Sequence, residues 1–224
     1  MERKKNYEVS LPEDYVAVKH VDAKSDKKQT IVYSLLSFVP LLIIMPVLCV
    51  VAVYCSGYDF SVGWKSDLGI VALLATCVAM FVYVVLHEIV HGITYKLLTG
   101  AKLTFGMTLN VAFCGVPNIF VRKKASVAAL IMPFIVFTLI FAGMTAGLWF
   151  ASPLYGVLSG LLLATHLGGC VGDLHWTLVY LTKFRRCNTL MRDTGPEQWL
   201  YIPKAEAEKY GIACVAVQIK KEKE

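Results

Sequence analysis

Long apolar stretches separated by short polar ones set the pattern of this chain. A helix rising 1.5 Å per residue needs about 20 apolar residues to cross a hydrocarbon core of about 30 Å. Four stretches reach that length. Ile31–Tyr54 carries no charged residue, and the second stretch begins at Leu68 and continues helically to about Leu98. The third is Ala125–Phe150 and the fourth runs from about Leu154 to Thr182. No Asp, Glu, Lys or Arg occurs between Lys124 and Asp173. Pro153, beside Ser152 and followed by Gly156, divides that run into two helices with a tight connection.

The connection after the second stretch has a different period. Leu103, Phe105, Met107, Leu109, Val111 and Phe113 are apolar and alternate with Lys102, Thr104, Thr108 and Asn110, which predicts a half-buried strand. Cys114–Asn118 reads as a turn and Ile119–Val121 as a short return strand. Two readings of this amphipathic hairpin stay open: a surface loop whose apolar side dips into lipid, or a sheet edge that pairs with an extended peptide. The expected fold is therefore an all-α polytopic membrane protein, with four transmembrane helices and a small β-hairpin between the second and third. Residues 1–30 form an amino-terminal segment, 31–182 the membrane domain and 183–224 a polar tail.

Composition narrows the class. Hydrophobic residues make up 57% of the chain and charged residues 17%, more apolar than one small soluble core can hide. A soluble globular domain and a disordered chain are both excluded. Net charge is 22 − 16 = +6, but its distribution speaks to orientation, not to nucleic acid. Lys and Arg number seven before the first span, one (Lys65) after it, five after the second, none after the third and nine in the tail. That alternation places both termini and the second connection in the cytoplasm, in what is expected to be the cell membrane. No apolar core follows the basic start at the distance of a cleavable leader, so none is expected. The seven cysteines are odd in number, lack a CxxC pair and lie mostly in apolar runs, as small core residues do.

Ionisable groups inside a span are costly and default to function. The first and third spans have none. The second has His87, Glu88 and His91, and the fourth has His166, Asp173 and His175. His87-Glu88-Ile89-Val90-His91 is an HExxH pattern: imidazoles four apart share a helix face, and the Glu beside the first can address a water on a shared ion. Zn²⁺ suits two neutral imidazoles, and a catalytic zinc wants a third protein ligand. His87 lies nine residues before Lys96, and Asp173 ten before Lys183. Their depths match at roughly 13–15 Å from those lysines. Asp173 is thus the favoured third ligand, with His166 and His175 as alternatives. His166, two turns further out, suits a supporting or pore-lining place. Gly168, Gly169 and Gly172 would let the fourth helix approach the second closely.

His87–Gly92 late in a membrane helix resembles the membrane zinc peptidases of the site-two-protease type, and Gly172-Asp173 resembles their aspartate ligand motif. The compact layout, with a basic hairpin connection and a following helix carrying Pro133, is most similar to the family of membrane proteins named putative zincin peptidases, over roughly Phe81 to Thr182. The resemblance implies His87, His91 and Asp173 as zinc ligands, Glu88 as the catalytic acid/base, and the Leu103–Val121 hairpin as a holder of peptide substrate. The longer Asn-Pro form of the aspartate motif is absent, and no PDZ-like domain fits in the length. The expected activity is intramembrane hydrolysis of peptides or membrane proteins, with lipids as the surrounding partner. The rival readings are a metal carrier, which usually shows an internal repeat that is absent here, and a regulatory scaffold with an inert site.

Overall fold

The computed structural model describes residues 5–22, 26–65, 67–107 and 112–215. Two short amino-terminal strands, β1 (Tyr7–Glu8) and β2 (Tyr15–Asp22), precede the helices. Helix α1 (Lys27–Val50) runs into a π-helical turn, Val51–Cys55, and is followed by the short α2 (Phe60–Lys65) and the long α3 (Asp67–Thr99). Strands β3 (Thr104–Met107), β4 (Ala112–Gly115) and β5 (Phe120–Arg122) lead to α4 (Lys123–Trp149). Then come α5 (Pro153–Gly169), α6 (Val171–Leu181), β6 (Leu190–Asp193), β7 (Glu197–Pro203) and α7 (Lys204–Tyr210).

The chain divides into two compact units that interleave in sequence. Lys28–His91 with Leu130–Trp176 form a helical unit; the amino-terminal segment through Lys27, Gly92–Ala129 and the chain from Thr177 onward form a second, sheet-bearing unit.

In the helical unit the side chains reverse the soluble pattern. Leu35, Leu42, Phe81 and Leu139 are each at least two-thirds exposed, on apolar faces of the kind that hydrocarbon covers. The helices containing them, Lys27–Cys55, Gly69–Thr99 and Lys123–Trp149, are each long and apolar enough to cross a membrane. The packed interior is a cluster of Tyr83, Phe137, Phe141 and Leu162. Helix α5 starts as the sequence dictates: Ser152 caps it by accepting from the Leu154 amide, and Pro153 occupies the first turn, where its missing N–H costs nothing. Gly168 lets α1 come close, since a Cβ there would overlap the Ser37 backbone. Ser37 Oγ donates to the Gly168 carbonyl at 2.8 Å.

The sheet-bearing unit corrects the expectation of a purely α-helical protein. Its antiparallel sheet runs β1-β5-β6-β7-β2, and residues from both ends of the chain build it. Val121 pairs with Tyr7 on one side and Met191 on the other, while Val16 sits opposite Ile202. Ala17, Leu190 and Tyr201 form its core. The hairpin also differs from its prediction. β3 pairs with β4, from Thr104↔Gly115 to Met107↔Ala112, so the expected single strand Leu103–Phe113 is two strands. The segment joining them lies outside the described residues. The alternation runs on through the sequence without a break, so periodicity gave no sign of the reversal, which sets Phe105 opposite Cys114 and Phe113 opposite Gly106. The predicted return strand exists as β5, but it pairs within the five-stranded sheet and not with the hairpin. The fourth apolar stretch is bent by 45° where α5 gives way to α6.

Candidate metal centre

The candidate site lies wholly in the helical unit and draws on α3 and α6. Along α3, Tyr83, His87 and His91 recur every four residues and share one face. His87 and His91 are each only 8% exposed, and their rings meet edge-on with centroids 4.9 Å apart. Glu88 is half-buried, and one donor atom from each of His87, Glu88 and His91 lies within 4.8 Å of the others. Asp173 stands in the first turn of α6. Its Oδ2 is 3.3 Å from His87 Nε2 and 3.3 Å from His91 Nε2.

That spacing tests the fit to zinc directly. Tetrahedral coordination with bonds of about 2.0–2.1 Å sets neighbouring ligand atoms about 3.3 Å apart. The two imidazole nitrogens and the carboxylate oxygen supply the mixed N/O donor set that Zn²⁺ accepts. The donor types suit a zinc ion, and both separations from Asp173 match that value.

The two alternative ligands fall elsewhere. The His175 ring faces Tyr33, with centroids 5.6 Å apart. His166 is fully buried on α5, on the far side of the 45° bend from Asp173. Its Nδ1 is 2.8 Å from the Tyr83 hydroxyl, which in turn lies 3.1 Å from His87 Nδ1. Cys170 Sγ is 3.5 Å from the same His166 nitrogen, so His87, His166 and Cys170 form a second convergent donor group. The sequence reading missed Tyr83. Its signal was a phenol one helical turn before the first histidine, inside a span where a hydroxyl needs a partner.

Apolar helices of membrane-crossing length around a buried His/His/Asp cluster define a polytopic membrane protein with a candidate metal centre. Residues 80–188 match the family model described as putative zincin peptidase. The matched stretch contains Tyr83, the HExxH pattern, the β3–β4 hairpin, Pro133, His166 and Asp173. No curated protein and no solved structure matches the chain. The description of that family names the zincins, a class of zinc peptidases.

Proposed function

We propose that the protein is an intramembrane zinc metallopeptidase that hydrolyses peptide bonds of membrane-associated or transmembrane substrates. The observation that carries this reading is the convergence of His87, His91 and Asp173 at zinc-ligand spacing beside Glu88. Zinc held by these three residues supplies Lewis acidity toward a water molecule and a scissile carbonyl. Glu88 takes the proton that the attacking water gives up and returns it to the leaving amine, so one water is consumed as the C–N bond breaks. His87 and His91, held on one helix, keep their lone pairs aimed at a common point. The apolar walls of Phe137 and Phe141 limit water at the site. An unwound substrate segment can add as a strand to β3, where Phe105 and Met107 are more than half exposed.

The sheet supports the four-crossing topology. Strands from the amino-terminal segment, from the connection after α3 and from the tail share one sheet, as they would if all three lie on one side of the membrane. An even number of crossings would then separate them, with the bent α5–α6 pair as a single return span after α4. The Lys and Arg clusters flank these same three segments, which favours a cytoplasmic sheet and cytoplasmic termini. Water then reaches the site from that side.

Glu88→Gln is expected to keep stoichiometric zinc and abolish cleavage of a transmembrane peptide in detergent. Unchanged cleavage would overturn the mechanism. A second reading, a metal carrier, draws on the His87/His166/Cys170 donor group. It predicts metal flux into proteoliposomes, whereas the peptidase predicts none.

A further inference from the structure

Buried behind His87 is a chain of polar atoms that the peptidase mechanism does not use. Tyr83, His87 and His166 are all more than nine-tenths buried. Tyr83 packs edge-on against Phe137 and Phe141 at 5.2 and 5.3 Å between centroids. In such a cage each polar group must be satisfied by the others.

The direction of each hydrogen bond follows from the far end. His166 Nε2 lies 3.3 Å from the Phe134 carbonyl oxygen, which can only accept, and 3.1 Å from Thr138 Oγ1. A neutral His166 therefore carries its proton on Nε2, and Nδ1 is left as an acceptor. Tyr83, 2.8 Å away, donates to it; the Cys170 thiol points a second, weaker donor at the same atom. Having spent its only proton, the Tyr83 oxygen accepts: His87 Nδ1–H lies 3.1 Å away, with the Cys170 thiol also beside the hydroxyl. His87 is thereby held as the Nδ1–H tautomer. Its bare lone pair sits on Nε2, the atom that faces Asp173.

We infer that Tyr83 and His166 are positioning residues that fix the tautomer and ring orientation of His87, with the Phe134 carbonyl as the anchor of the relay. The inference rests on His87 being a metal ligand. Histidine ligands commonly donate their second N–H to such a partner, and loss of that partner costs about 10–100-fold in metal affinity. Here the partner is a phenol whose own orientation depends on a buried histidine 83 residues further along the chain.

The test is Co²⁺ and Zn²⁺ affinity by chelator competition, with the visible absorption of the Co²⁺-loaded full-length protein in detergent. Tyr83→Phe should weaken metal binding about 10–100-fold and perturb the Co²⁺ band. His166→Leu should do the same through Tyr83. His166→Gln, which keeps an acceptor and a donor, should recover most of that loss, a rescue that mere packing would not give. Wild-type affinity and an unchanged band in Tyr83→Phe would overturn the inference, as would equal affinities for the Leu and Gln variants at 166. Binding of a second equivalent that vanishes in Cys170→Ala would also overturn it, since His166 would then be a ligand. His91→Ala separates the two levels of argument. Lost binding there with unaffected Tyr83→Phe defeats the relay alone, and retained binding there defeats the metal centre and the relay together.

Discussion

Asp173 in the helical unit and Asp193 in the sheet-bearing unit are both sheltered aspartates, yet their surroundings differ in kind. Asp193 is 2% exposed; its Oδ2 accepts from the Tyr95 hydroxyl at 2.8 Å and its Oδ1 from the Gly195 amide at 2.9 Å. Its backbone carbonyl accepts from the Val116 amide. Neutral donors from three segments thus pin the β6–β7 turn. Asp173 instead presents one oxygen to two imidazole nitrogens at equal distance. A carboxylate that staples a fold spreads its lone pairs over separate donors, whereas one prepared for an ion shares a single point with other ligands. Burial alone does not distinguish the two; the identity and convergence of the partners do.

That contrast can be broken by substitution. The largest effect is expected for Asp173→Ala or His91→Ala. Either should abolish stoichiometric zinc and cleavage, read by elemental analysis and peptide hydrolysis, with little change in the melting of the sheet-bearing unit. Asp193→Ala should do the reverse. Leaving the Tyr95 hydroxyl and the Gly195 amide without their acceptor should cost about 2–4 kcal/mol, read by thermal unfolding in detergent, with zinc content retained. Loss of zinc in Asp193→Ala would erase the distinction. Gly195→Ala should cost less, about 1–2 kcal/mol. Its φ of +96° suits glycine, and Phe113 occupies the space a Cβ would need. The smallest effect belongs to the half-exposed pair Arg122–Glu8. Arg122→Ala should change stability by less than about 0.5 kcal/mol, and high salt should remove even that difference.

The helices and the His/Glu/His cluster were legible because each has a short-range signature. Apolar runs of membrane-crossing length need no tertiary context, and His87, Glu88 and His91 declare themselves by spacing on one turn. Asp173 required a depth comparison between separate segments, and the two residues do meet in the fold. The sheet escaped because its strands are short, lie far apart in sequence and draw on mixed polar stretches. Val121 pairs with Tyr7 and Met191, and nothing local in Tyr7-Glu8 or Leu190–Asp193 announces either partner. The hairpin reversal escaped for the opposite reason: its alternation was so regular that it disguised two strands as one. Tyr83 escaped because an aromatic in a membrane helix reads as packing until its hydroxyl is seen between two histidines.

The order of strands in the sheet also constrains how the molecule is made. β2 has β7 as its neighbour, and their pairing joins Val16 to Ile202. During synthesis the first strands emerge long before their partners, and every hydrophobic span must be inserted in between. On the four-crossing topology proposed above, closure of the sheet would report that insertion has finished with an even count of crossings. On that topology a nascent chain that loses or gains one span would strand β6 and β7 on the opposite face of the bilayer and leave β2 an unpaired edge.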